Sequence, residues 1–193
     1  NKASNESFSP KDEVKYWFSN FEAKKWLKKG FTKKDMDIYI SPPIDEIVSK
    51  KINRQFWSYY NFWDPQEHYY YSTKNTGFKA NPDGRSEGTY SKYASLDDAI
   101  DGFHYYFMFL KFGIGRATSD AAHEIRDNHL TRSEAVRLVK KYDGEFPKKH
   151  YKKFLNYCNL TEIEFQQICD SWRAKHLWIK KNNKWKLKKQ VSE

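Results

Sequence analysis

Apolar positions near the start of the chain recur at helical spacing: Val14, Trp17, Phe18, Phe21 and Leu27 share one face, and lysines fill the other. Ser9-Pro10 supplies a cap and a first-turn proline, and Gly30 a C-terminal stop. A shorter helix is expected from Pro43 to about Ile52, and another opens at Asp64-Pro65 and closes at Gly77. From Phe78 to Ser95 (FKANPDGRSEGTYSKYAS) no apolar period survives, and Gly, Pro, Asn and Ser dominate. This stretch reads as a long loop, ordered or semi-ordered. Ser95 then caps a helix from Leu96 to about Phe112, on which Leu96, Ile100, Phe103, Phe107 and Leu110 form one buried stripe.

Gly113-Ile114-Gly115 breaks that helix, and Ala117 to about Arg126 restarts it. Two capping boxes, Thr131-x-x-Glu134 and Thr161-x-x-Glu164, open further helices that stop at Gly144 and near Ala174. Between them Pro147 starts a helix that ends near Asn159. The closing LWIKKNNKWKLKK alternates around Asn182-Asn183 and predicts a β-hairpin. There is no internal repeat. The expected fold is mainly α: a multi-helix globular domain with a long irregular loop and a C-terminal hairpin. Three regions are expected, namely a helical segment over 1–40, a helical domain over 41–175 and a basic hairpin tail over 176–193.

Composition explains how so polar a chain builds a core. Only 38% of its 193 residues are hydrophobic, but 18% are aromatic, and each aromatic side chain buries roughly 150–250 Å². No apolar run approaches the roughly 20 residues of a membrane helix. The opening NKASNESFSP resembles neither a secretory nor a transit peptide. Two cysteines, Cys158 and Cys169, on separate predicted helices, exclude a disulfide or zinc framework and read as core residues of a cytoplasmic protein. The net charge is +10, and the segment from Lys175 holds seven lysines and one acid. Such a basic end solubilises, docks an acidic partner or steers an anion; without a clustered basic face, nucleic acid is not the expected ligand.

No complete catalytic signature is present: GxxxxGK[ST], GxGxxG, HExxH, GxSxG and paired CxxC are all missing. A chain of this length without one is a binding module or part of a larger enzyme, and the absence of an initiator Met favours the second expectation. Four segments carry candidate chemistry. In Asn81–Tyr90, two glycines permit close backbone approach, Arg85 offers a fork for a carboxylate or phosphate, and Glu87 an acid or base. The bland alternative is an Asx turn with a surface ion pair. In Lys111–Asp120, a helix N-terminus flanked by Lys111 and Arg116, with Thr118 beside it, suits an anion such as a diphosphate; the alternative is an ordinary capped corner. Asp97, Asp101, His104 and Lys111 form a polar stripe on the long helix, with His123 and Arg126 on the next, and a solvated face is the simpler reading. Gln55–Tyr71 holds nine aromatics in seventeen residues, suited to stacking on a base or sugar but more simply to core or interface packing.

Several ordered motifs point further. WDPQ at Trp63–Gln66, NPDGRSEGTYSKYASLDD at Asn81–Asp98, DGFHYYFMFLKFGIGRATSDAAHEIR at Asp101–Arg126, TRSEAVRLVKKYDGEFP at Thr131–Pro147 and the closing LWIKKNNKWKL occur in that order. Together, over roughly residues 40 to 190, they resemble the C-terminal half of the N-acetyl sugar amidotransferases. These bacterial enzymes make acetamidino sugars for lipopolysaccharide (LPS) O-antigen and for pseudaminic or legionaminic acid.

The resemblance implies a parent enzyme whose N-terminal ATP-pyrophosphatase domain binds ATP and Mg through an SGGxDS-type loop. It implies activation of an acetamido carbonyl as an adenylate, and displacement of AMP by ammonia from a glutaminase subunit. This sequence has neither the SGGxDS loop nor an N-terminal cysteine pair. It is therefore expected to be the C-terminal part, inactive alone, with 1–40 linking to the missing domain. The implied ligand is a nucleotide-linked acetamido sugar, with no metal site and no membrane. From residue type, the expected substrate-binding side chains are Arg85, Ser86, Lys111, Arg116, Thr118 and Arg126, and Glu87 and Asp120 are the expected catalytic pair. The alternative is a non-catalytic module that docks the glutaminase or the rest of the synthetase.

Overall fold

The computed structural model describes residues 3–9 and 23–191, which divide into two compact units, Asn1–Trp63 and Asp64–Glu193. Pro10 and the apolar positions Val14, Trp17, Phe18 and Phe21 of the first predicted helix lie outside the described residues. Its predicted end is seen. Helix α1 (Ala23–Trp26) tightens into a 3-10 turn over Leu27–Lys29 and stops at Gly30, whose φ of +95° suits a residue without Cβ. Helix α2 (Lys33–Met36) follows under a Thr32–Asp35 capping box, and α3 (Ile44–Ser49) follows Pro43. Met36 and Ile47 are buried in this unit. An antiparallel bridge, Ser7 to Gln55, brings the Phe8 and Phe56 rings to 4.4 Å just before α4 (Trp57–Tyr60).

The second unit carries the larger core. Helix α5 (Pro65–Asn75) starts where the Asp64 carboxylate accepts the Glu67 amide, and Gly77 follows its end at φ +73°. Helix α6 spans Asp101–Phe112, starting five residues later than the apolar stripe predicts. Ser95 does not cap it: Ser95 sits at φ +54° and its hydroxyl meets that of Tyr105, while Asp98 receives the Ile100 amide in an Asx turn. Leu96 is accordingly 41% exposed and drops out of the stripe, whereas Phe103 and Leu110 are buried. The side-chain-to-backbone bonds of Asp98 compete with the helix and win.

Helices α7 (Arg116–Arg126) and α8 (Arg132–Tyr142) pack through small residues, with Ala121, Ala135 and Val139 buried between them. Helix α9 (Tyr151–Cys158) begins four residues after Pro147, because the intervening turn over Lys148–His150 is held by Glu87. Helix α10 spans Glu162–Trp172, and both predicted capping boxes form. The aromatic core sits among α6, α9 and α10: the rings of Phe103 and Phe154 stack at 4.1 Å, and Phe165 stands edge-on to both. Cys169 belongs to this core, and burial pushes its thiol up to about 11; Cys158, expected there, is exposed on the far face of α9. Strands β1 (Trp178–Lys181) and β2 (Lys184–Leu187) pair antiparallel, and Asn182 and Asn183 both take positive φ, the geometry that matches strand twist. Trp178 anchors the hairpin by donating its indole N–H to the Leu110 carbonyl at 2.7 Å. The fold is thus mainly helical with a C-terminal hairpin.

The aromatic-rich stretch over Gln55–Tyr71 is not core. Trp57 and Tyr71 are both 67% exposed, and none of its aromatic side chains is buried.

Candidate functional site

The loop over 78–100 is ordered by its own polar groups. Asn81 accepts the Asp83 amide and donates its own amide to the Lys92 carbonyl, closing the loop at 2.8 Å. The buried Ser91 hydroxyl accepts the amides of Tyr93 and Ala94. Ser86 donates to the Ala94 carbonyl at 2.8 Å. Loops this long are held in place only when their backbone groups find such partners.

Its two expected anion-binding features are already filled by carboxylates of this chain. The Arg85 fork grips Glu145 in a bidentate pair at 2.6 and 2.7 Å, lies over the Tyr142 ring, and donates to the Ser86 and Thr89 carbonyls. Glu145 also accepts the Gly88 amide, and its pairing with Arg85 holds it below the usual carboxylate range. At the N-terminus of α7 the anion is Asp143. It accepts the amides of Gly115 (2.9 Å) and Thr118 (3.1 Å) and the Thr118 hydroxyl. A Cβ on Gly115 would stand 2.6 Å from that carboxylate, so glycine is required there by steric approach. Between the two acids, Gly144 has φ +76°, and a Cβ would lie 2.2 Å from the Phe109 ring. Asp143-Gly144-Glu145 is therefore a staple that fixes both the loop and the start of α7.

The remaining expected residues separate. Glu87 accepts the Lys148 and Lys149 amides, and with Arg85 and Ser86 it lines a polar cleft of about 90 Å³, room for a few waters. Asp120 accepts from Arg116 (2.7 Å) and from the buried Thr89 hydroxyl (2.5 Å), while Arg116 also donates to Tyr105 at 3.0 Å. Lys111 lies over the Trp172 ring, and Arg126 is exposed at the end of α7. Asp97 precedes α6, so the polar stripe loses its first member; Asp101, His104 and Lys111 remain on the helix. Among the described residues no three His, Cys, Asp or Glu side chains converge as a metal site.

The larger opening lies on the other side of the same loop and was not legible as a site. A cleft of about 460 Å³ is lined by Tyr69 and Tyr70 of α5, by Tyr90 and Tyr93 of the loop, and by Glu124 and His129, a size fit for a sugar or small metabolite. The Tyr69 and Tyr93 rings stack at 4.5 Å and 11°. Tyr93 donates its hydroxyl to Gln66 (3.1 Å), and burial, aided by Glu124, Asp120 and Asp64, pushes that hydroxyl up to about 12. His129 meets Asp64 at 2.8 Å, which raises the imidazole above its ordinary value. The Tyr90 hydroxyl is buried, and burial and then the adjacent Glu124 carboxylate, by its charge and as a hydrogen-bonding neighbour, raise it above its ordinary value. Burial, then the neighbouring Asp120, raises Glu124 above the usual carboxylate range. Gln66, Tyr90, Tyr93 and Glu124 all fall inside the motifs quoted above. The added signal was Arg116, Asp120 and Glu124 at i, i+4 and i+8, one ionisable stripe on α7.

No helix of the described residues is long and apolar enough to cross a membrane. No curated protein matches the chain. The family described as LPS biosynthesis protein WbpG-like, C-terminal domain, matches residues 87–192, just over half of the sequence and nearly all of the second unit beyond α5. The match takes in the stapled loop from Glu87 onward, the α7–α8 pair and the hairpin, and the chain belongs to this family of LPS biosynthesis proteins.

Proposed function

We propose that this chain is the C-terminal part of an ATP-dependent sugar amidotransferase that converts an acetamido group of a nucleotide-linked sugar to an acetamidino group. The observation that carries the reading is the tyrosine-lined cleft beside the family's matched segment, because stacked aromatic faces suit the apolar face of a pyranose ring. The LPS family and the motif order support it.

An amide carbonyl is a poor electrophile, so its oxygen has to be made part of a leaving group before ammonia can add to the carbon and displace it. A separate ATP-pyrophosphatase domain would hold ATP and Mg, whose adenylyl transfer to that oxygen would release pyrophosphate and let the oxygen depart with AMP; a glutaminase subunit would supply the ammonia. The residues of this chain hold the sugar on the Tyr69–Tyr93 stack and keep water from the activated carbon. Arg85, Arg116, Asp120 and Glu87 act by shaping the loop that carries Tyr90 and Tyr93.

Calorimetric titration with a UDP-linked N-acetyl sugar tests this. Saturable binding that Tyr69→Ala weakens is expected. A flat titration by the folded protein, with the glutaminase subunit captured instead, would replace it with the docking reading. That second reading is favoured by the exposed aromatics Trp57, Tyr59 and Tyr60 of the first unit and by Tyr157 (77% exposed) of the second.

A further inference from the structure

The tyrosine cleft has an unbalanced charge. Three carboxylates act on it, and two are neutralised: Asp120 pairs with Arg116, and Asp64 with His129. Glu124 forms no ion pair among the described residues. Beside it the Tyr90 hydroxyl is buried, with the Glu124 carboxylate as its hydrogen-bonding neighbour. Lys92, the other cation at the cleft, is exposed at its rim. The lining includes four tyrosine rings, Tyr69, Tyr70, Tyr90 and Tyr93, and aromatic rings attract cations through their quadrupoles. A diphosphate would meet Glu124 here with only the exposed Lys92 left to offset the repulsion, and a neutral ligand would leave the carboxylate without a cationic partner.

We infer that the cleft formed by Tyr69, Tyr90, Tyr93 and Glu124 is a seat for a small planar organic cation, the amidinium group of the product. Its two N–H edges would donate to Glu124 and to the Tyr90 oxygen, while the plane lies against the tyrosine faces. The seat rests on the geometry; naming its occupant as the amidinium of an acetamidino sugar rests on the amidotransferase reading. A neutral acetamido group has one N–H and no charge, so the seat favours product over substrate at this end of the sugar.

Acetamidinium chloride is the probe, with acetamide as its neutral counterpart at matched ionic strength. Ring-proton NMR of the tyrosines is the readout. Acetamidinium should shift Tyr69, Tyr90 and Tyr93 saturably and acetamide should not. Glu124→Gln, which keeps size and removes charge, should weaken binding about ten- to hundredfold, the worth of a charge-assisted hydrogen bond. Equal responses to both probes in the unaltered protein would overturn the seat, and so would unchanged affinity in a folded Glu124→Gln. A failed UDP-sugar titration with the acetamidinium response intact would refute the amidotransferase reading and keep the seat. The reverse pattern would refute the seat alone.

Discussion

Removing the Asp143 carboxylate is the most direct test of how the loop and α7 are held. Asp143→Ala leaves three donors without their acceptor: the Gly115 amide, the Thr118 amide and the Thr118 hydroxyl. Losing a helix cap costs typically about 1 kcal/mol. The negative charge at a partly buried helix N-terminus adds up to ~2 kcal/mol. These contributions overlap, and water reaches part of the site, so a loss of about 2–3 kcal/mol is expected. Asp143→Asn keeps an acceptor and removes only the charge, so about half that loss is expected of it.

Urea denaturation reads the stability. A second readout distinguishes a cap from a neutral contact: in Asp143→Ala the freed amides form an open anion site, so phosphate should restore stability at matched ionic strength. The unaltered protein should show no such specific response, because its own carboxylate occupies the place. A loss below about 0.5 kcal/mol on Asp143→Ala would refute the cap. Equal phosphate stabilisation of both proteins would refute its occupancy.

Three further outcomes are expected. Gly144→Ala meets the Phe109 ring at 2.2 Å and a positive φ together, so urea denaturation should show a loss of at least about 2 kcal/mol; a near-neutral effect would mean that the staple is not rigid. Trp185→Ala removes a half-buried ring that donates to Asp170 and lies between Arg173 and Lys180. It should cost about 2 kcal/mol, less than a fully buried aromatic, and an unchanged melting temperature would contradict its packing on α10. For the Asp64–His129 pair, burial alone would raise Asp64, but the Glu67 amide and His129 bring it below its ordinary value. Its contribution is present above the unfolded carboxyl value, about 3.9, and is lost as pH falls through the folded one. His129 is raised, chiefly by its bond to Asp64. Its contribution is full below about 6.5 and fades as pH rises through the higher folded value. Thermal melts of His129→Gln should therefore differ from the parent by up to about 1 kcal/mol at mildly acidic pH and converge at alkaline pH; a pH-independent difference would sink this.

What was legible in the sequence was local. Capping boxes, the Asn182-Asn183 turn and the glycine stops follow from chemistry within a few residues, and they form as expected. The start of α6 was misplaced because Leu96 keeps the apolar period while Asp98 and Ser95 use their side chains to hold the chain in a turn. Periodicity does not register that competition. The site residues were harder still. Arg85 and Thr118 have the right chemistry for an anion site, but their pairing with Glu145 and Asp143 spans up to 60 positions, as between Arg85 and Glu145. Sequence offers a fork and a helix end; it does not say that both are taken.

The filled anion sites change where the ligand chemistry has to be sought. Arg85 and the α7 amides are the features best suited to a diphosphate, and each is bound to a carboxylate from one short segment, Asp143–Glu145. A folded domain that satisfies these donors internally has committed them to holding its loop. What the loop then contributes to the cleft is Tyr90 and Tyr93, which line it together with Tyr69 and with Glu124, a carboxylate that no Lys or Arg neutralises among the described residues. Those groups are aromatic and acidic, and they recognise a ring face and a positive charge rather than a phosphate. On the proposed reading, the sugar's acetamido end enters this chain and its nucleotide end lies elsewhere. Loss of charge at Glu124 should then alter discrimination between amidine and amide while leaving affinity for free UDP unchanged, and a parallel drop in UDP binding would place the diphosphate in the cleft after all.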